Sequence, residues 1–150
     1  TDPTEVSKIP YQPSNLGNQK MHGVSVSVSR TYILQQDRTL KFSLGYNNLS
    51  PEELTYQTGI ISKYVLESLK HQALLRIIYS APYWEFSTGN RWIKRELNDP
   101  YFVSDVRLGY KLKQWNVYTD ITNIANASYQ ESGAVVMPKR WFTLGLRYAL

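Results

Sequence analysis

His22 and His71 are the side chains with the widest chemical range in this sequence, and they stand alone. A metal site needs a second His or a carboxylate at ligand spacing, and neither histidine has one. The chain has no cysteine, which excludes a thiolate metal site and a disulfide framework. Acid–base chemistry needs paired carboxylates. Glu85 and Asp105 instead share strand faces with Arg91 and Arg107, a pattern of wall charges rather than of a catalytic dyad. No nucleophile elbow or phosphate-binding loop is present. The expectation is therefore a protein that is not an enzyme and holds no metal or cofactor. Asn48-Leu49-Ser50 and Asn126-Ala127-Ser128 match glycosylation acceptors, a pattern common by chance.

The elements that carry these residues are strands. The clearest is the last, Arg-Trp-Phe-Thr-Leu-Gly-Leu-Arg-Tyr-Ala-Leu over 140–150, where Phe142, Leu144, Leu146, Tyr148 and Leu150 alternate with mixed residues. A period of two with one apolar face is a strand signal. Val24, Val26 and Val28 alternate with serines from Met21 to about Tyr32. Leu40, Phe42, Leu44 and Tyr46 do so after a tight connection at 35–38, which makes a hairpin. Trp84, Phe86, Thr88 and Trp92 share a face in a fourth strand. Phe102, Val106, Leu108, Tyr110 and Leu112 do so in a fifth, and Trp115, Val117, Thr119 and Ile121 in a sixth.

The stretch 48–80 reads two ways. Ser50-Pro51-Glu52-Glu53 resembles a helix start, and Ile61, Val65, Leu69, Ala73 and Ile77 recur at helical spacing. Ala73, Leu75, Ile77 and Tyr79 equally fit a strand from about His71. The expectation is a long loop followed by that third strand. The rival is a soluble β-rich binding module with a helix over 61–77.

The connections run short, long, short, medium, short, long, so short turns lie at one end of the sheet and longer loops at the other. Such sorting is a property of outer-membrane barrels, and strands of about ten residues suit a tilted crossing. Tyr32, Tyr79, Trp84, Tyr110, Trp115 and Tyr148 fall near the short-turn end, and Tyr46, Trp92, Phe102 and Phe142 near the other. Two aromatic bands with aliphatic residues between them are what interfacial girdles require. The net charge of +5 is scattered rather than clustered, so a nucleic-acid partner is not expected.

Several motifs, in order, resemble the C-terminal part of a TonB-dependent outer-membrane receptor. Gly23 opens an alternating strand after Asn18-Gln19-Lys20-Met21-His22, similar to the family's glycine-led strand. Lys70-His71-Gln72 resembles its Pro-Lys-His lead-in, with Leu69 where Pro often stands. Asp120-Ile121-Thr122-Asn123-Ile124-Ala125-Asn126 with Tyr129 resembles its Asn-Leu-Phe-Asp…Tyr segment. Met137-Pro138-Lys139-Arg140-Trp141-Phe142 resembles its Pro-Gly-Arg-x-Phe segment, and this version leans towards cobalamin or iron-chelate receptors of the Bacteroidetes type. Ala125, Lys139 and Leu150 depart from the usual Phe, Gly and Phe.

The resemblance implies an all-β fold: a transmembrane antiparallel β-barrel segment, about seven C-terminal strands of a 22-strand barrel in the bacterial outer membrane. Residues 1–150 would then be the C-terminal part of the receptor barrel, with 1–19 an extracellular loop and 20–150 strands and loops. The whole protein would import a scarce nutrient (an iron chelate, haem, cobalamin or a glycan) with TonB-supplied energy. Its partners would be the remaining barrel strands and a plug domain of the same receptor, the TonB complex, membrane lipid and the barrel-assembly machinery, with a surface lipoprotein as a further candidate. Phe142, Leu144, Leu146, Tyr148 and Leu150 would form the lipid-facing assembly signal. Tyr56, Tyr64 and Tyr129, on the long loops, are the candidate ligand contacts.

Overall fold

A computed structural model describes residues 20–35, 37–51, 69–96, 98–131 and 135–149. They form seven strands: β1 (Met21–Gln35), β2 (Arg38–Pro51), β3 (Leu69–Ser80), β4 (Trp84–Arg95), β5 (Tyr101–Leu112), β6 (Trp115–Thr122) and β7 (Trp141–Tyr148). Each pairs antiparallel with its neighbour in sequence, so the sheet is a simple meander, β1 to β7, with β1 and β7 at open edges. The described residues contain no helix. Leu69–Ser80 is strand, which removes 69–77 from the helix of the soluble rival. Positions 61–68, with Tyr56 and Tyr64, lie outside the described residues, as do 1–19 and Leu150.

Turn chemistry sets the registers. Lys113 and Gln114 link β5 to β6 as a two-residue turn, with Lys113 at φ 54° and Leu112 opposite Trp115. Asp37 holds φ 68° in the turn that puts Gln35 opposite Arg38. Both residues bear the left-handed strain that such tight hairpins impose. At the third short turn the Ala81 amide donates to the Trp84 carbonyl at 2.8 Å.

With the registers in place, strand parity sorts the side chains. One face carries Val24, Val26, Val28, Leu44, Leu75, Leu108, Val117, Leu144 and Leu146, which the pairings bring onto the same side. Aromatics bound it. Tyr46, Ala73, Trp92 and Phe102 lie in one register row towards the long-loop end. Towards the short turns, Trp84 packs on Tyr110 at 4.5 Å between centroids and Trp115 on Tyr148 at 4.6 Å. Such pairs contribute about 0.5–1.5 kcal/mol each beyond their area.

The other face is polar and hollow. Concavities of about 420, 410 and 250 Å³ open on it, lined among others by Arg76, Asp105, Arg107, Asp120, Ser43 and Lys111. Ile93 and Val103 are buried on this same face, towards the long-loop end. No second layer covers the apolar side among the described residues. Leu144 is 78 % exposed there, and β1 is exposed along its whole length. Among the described residues, the buried apolar ones are Ile93 and Val103, on β4 and β5, and Tyr129, in the β6–β7 connection.

Candidate functional site

The polar face holds the titratable residues, so the site is built from it. Strand alternation points Arg107 and Asp120 inward, and the β5–β6 register sets them directly opposite one another. The guanidinium then grips the carboxylate with two hydrogen bonds, Nε to Oδ1 at 2.5 Å and Nη2 to Oδ2 at 2.7 Å. It also lies 4.8 Å from the centre of the Tyr118 ring. Next to this pair, Arg91 Nη2 stands 4.0 Å from Asp105 Oδ2. The same-strand groupings read from the sequence, Asp105 with Arg107 and Glu85 with Arg91, are thus replaced by cross-strand pairs. Asp120 accepts from Arg107 and Asp105 is ion-paired with Arg91, which suits a rigid charged face rather than proton transfer.

Tyr118 fits over Gly145, its partner across β6–β7. A Cβ added at Gly145 would clash with Cζ, Cε2 and the hydroxyl of Tyr118. The glycine is therefore a notch that lets the ring lie flat under Arg107. An isolated Gly in a strand signals such close approach, although Gly145 drew no separate reading in the sequence.

At the long-loop end the β6–β7 connection folds back over the hollow. Its hub is Asn123, 2 % exposed and at φ 51°. The Asn123 backbone amide donates to Asp105 Oδ1 at 2.8 Å, and its side-chain amide donates to the Ala127 and Pro138 carbonyls. The Ala127 amide donates back to Asn123 Oδ1. Asn126, at φ 57°, accepts from the Arg140 amide. Asn tolerates the left-handed region better than other non-glycine residues. The Asp120–Asn126 motif singled out in the sequence is thus the strap that ties β5, β6 and the lead-in to β7 together.

Tyr129 belongs to this strap. Its ring stacks on Tyr101 at 4.8 Å, its hydroxyl accepts from Arg91 Nη2 at 3.4 Å, and it is 8 % exposed. Its ring is therefore packed against Tyr101 and the sheet rather than free on the loop surface. A cavity of about 390 Å³ between the 98–101 and 128–136 segments is lined by Asp99, Tyr101 and Tyr129.

His71 faces outward with Tyr46 and Trp92. Asn48 donates through Nδ2 to the Lys70 carbonyl at 3.2 Å, which fixes the orientation of its amide. The same nitrogen lies 3.0 Å from His71 Nδ1, and Tyr46 Oη lies 2.8 Å from it. Lys70-His71-Gln72 therefore laces strands together. Gln72 Oε1 accepts from Asn47 on the inner side, and Asn47 Oδ1 accepts from Ser25. Among the described residues no cluster of His, Cys, Asp or Glu is placed to hold a metal ion.

Phe142, Leu144, Leu146 and Tyr148 all lie on the exposed apolar face. The Tyr148 hydroxyl donates to Gln114 Oε1 at 2.8 Å. A polar group missed in the sequence lies on the same face. Ser104 donates to Asn90 Oδ1 at 2.7 Å, and Asn90 Nδ2 donates to Thr88 Oγ1 and to the Leu75 carbonyl. Comparisons of the chain with protein families, with curated proteins and with solved structures found no match.

Proposed function

We propose that this sheet is part of the wall of an outer-membrane β-barrel, the C-terminal segment of a TonB-dependent receptor that imports a scarce nutrient such as an iron chelate, haem, cobalamin or a glycan. The observation that carries the membrane part of the reading is the inverted amphipathicity: the hollow of the sheet is charged, and the outer side is apolar, uncovered and bounded by aromatics. Lipid outside and water or polar protein inside are the surroundings in which that arrangement is favourable. The receptor part rests on the ordered motifs, above all the Asp120–Asn126 segment with Tyr129. On this reading the wall is completed by further strands, a plug and TonB supply the transport step, and the residues of this segment supply assembly and rigidity rather than chemistry.

Cysteines introduced singly at Thr143 and Leu144 test it in the full-length protein in bacterial membranes. A water-soluble maleimide should react at 143 once the protein is opened by urea, and not at 144 in the assembled state. A lipid-soluble maleimide should react at 144. Recovery of the full-length protein in the soluble fraction, with both positions open to the water-soluble reagent, would refute the membrane reading.

A further inference from the structure

Two rows of side chains adjoin at the long-loop end of the apolar face. Tyr46, Ala73, Trp92 and Phe102 form the first. The next outward positions beyond it are Asn48, His71 and Lys94, which the registers set directly opposite one another. Outward positions on a strand are two residues apart, so this polar row lies about 7 Å beyond the aromatic one. Its members are held in place. The His71 ring is flanked by Tyr46 and Trp92, at 6.2 and 6.5 Å between centroids. Its Nδ1 lies against Tyr46 and Asn48, while Nε2 makes no hydrogen bond among the described residues. The Lys94 ammonium donates to the Asn98 carbonyl at 2.9 Å and has no ion-pair partner among the described residues. Glu96, the carboxylate two positions on, is taken by Lys70 at 3.2 Å.

We infer that the His71–Lys94 pair seats the phosphate of a lipid headgroup. The inference rests on the lipid-facing reading, which puts the aromatic row at the membrane–water boundary. The row just beyond that boundary then stands at the depth of the headgroups. There the Lys94 ammonium supplies the charge opposite to a phosphate, and His71, in the tautomer with its proton on Nε2, supplies a directed donor. Direct cross-strand neighbours have Cβ atoms about 4.5–5.5 Å apart, so one phosphate can meet both side chains. Continuity with the apolar face selects a lipid over a free anion. Tyr46, Trp92 and Phe102 are exposed directly below the pair, and they lead onto the aliphatic surface along which acyl chains would lie. A free phosphate gains nothing from that surface.

The test uses the full-length protein, purified in detergent and titrated with phosphatidic acid or with phosphatidylcholine of the same chains, with bound lipid read by native mass spectrometry. The first lipid bears a phosphate monoester, and the second has its phosphate charge balanced by choline. Phosphatidic acid should bind about tenfold more tightly or better, the size of a charged hydrogen bond. Lys94→Gln should remove most of that preference. Lys94→Met, which keeps the stem and drops the charge, repeats the measurement should the Gln variant fail to assemble. Lys41→Gln takes the same charge from the hollow face, where Lys41 stands opposite Thr31 and Ile78, and should leave the preference unchanged.

Equal retention of the two lipids would overturn the phosphate site and leave the lipid-facing reading standing. A preference that survives the loss of the Lys94 charge would overturn it too. So would one that falls as far in Lys41→Gln, because net charge rather than this pair would then be attracting the lipid. Inorganic phosphate that displaces phosphatidic acid at equal concentration would make the pair a free-anion site and refute the lipid. A full-length protein that purifies without detergent and binds neither lipid would sink the lipid-facing reading and the inference with it.

Discussion

Leu144→Arg, compared with Thr143→Arg, separates a lipid face from a watery one within a single strand. The two residues are neighbours in β7, both exposed, with opposite parity: Leu144 stands opposite Thr119 on the apolar side, Thr143 opposite Asp120 in the hollow. Leu144 lies between Phe142 towards one aromatic band and Tyr148 at the other, so it is near the middle of the apolar zone. An arginine at the midplane of a barrel's lipid face costs about 2–4 kcal/mol, which is about 30- to 900-fold in the folded-to-unfolded ratio. At a water-exposed site the same change stays within about 0.5 kcal/mol. Arginine at 143 meets Asp120 and the hollow, so it belongs to that second class. Equilibrium urea unfolding of the full-length protein in lipid vesicles measures both, with midpoint and slope fitted together so that a change in the unfolded state is recognised. A loss at 144 that exceeds the loss at 143 by about 2 kcal/mol or more is expected. Equal effects, or a loss at 144 below about 0.5 kcal/mol, would refute the assignment of the outward face.

Leu146→Asp should block membrane assembly, read as loss of the protein from the outer-membrane fraction, because the charge again falls on the apolar side of the last strand. Gly145→Ala should destabilise by about 1–3 kcal/mol, since its Cβ meets the Tyr118 ring; adding Tyr118→Ser should recover part of the loss, and no recovery would contradict the notch. Asn123→Ala puts alanine in the left-handed region, at a cost of about 1–2 kcal/mol, and strips the strap of its side-chain hydrogen bonds. Asn123→Gly keeps the backbone freedom and loses only those bonds, so hydrogen exchange at the Ala127 and Arg140 amides should rise more in the alanine variant than in the glycine one, and in both above the parent.

The strands were legible because alternation persists through them, and β3 emerged from the ambiguous stretch because Ala73, Leu75, Ile77 and Tyr79 keep parity with both neighbours. The Arg107–Asp120 pair was recoverable in principle. A two-residue turn at 113–114 forces Leu112 opposite Trp115, and counting back along both strands brings Arg107 to Asp120. The Arg91–Asp105 contact was not, because the longer connection after Arg95 does not determine a register. The strap at 123–138 has no periodicity to read. Its form comes from two asparagines in left-handed conformation and from side-chain-to-backbone bonds, and these are specified one residue at a time.

The uncovered apolar face needs an environment, and its polar residues discriminate between a protein layer and lipid. A protein layer could supply partners to Asn90, Ser104 and Thr119, so nothing would oblige them to be satisfied within the sheet. Lipid supplies none, and an unmet polar group there costs several kcal/mol. Both Asn90 Nδ2 and Oδ1 are engaged within the sheet, Ser104 donates to Asn90, and Thr119 donates to the Thr143 carbonyl at 3.2 Å. Arg30, the charge on this side of β1, lies over the Tyr32 ring at 5.4 Å, towards the short-turn end where an arginine reaches headgroups. These arrangements are the ones that the proposed lipid-facing reading requires. The same argument then bears on the sheet edges. The outer backbone groups of β1 and β7 have no partner strand among the described residues, and in lipid each would carry the penalty that Asn90 avoids. On the proposed lipid-facing reading, such a sheet would be stable only with further strands closing against both of its edges.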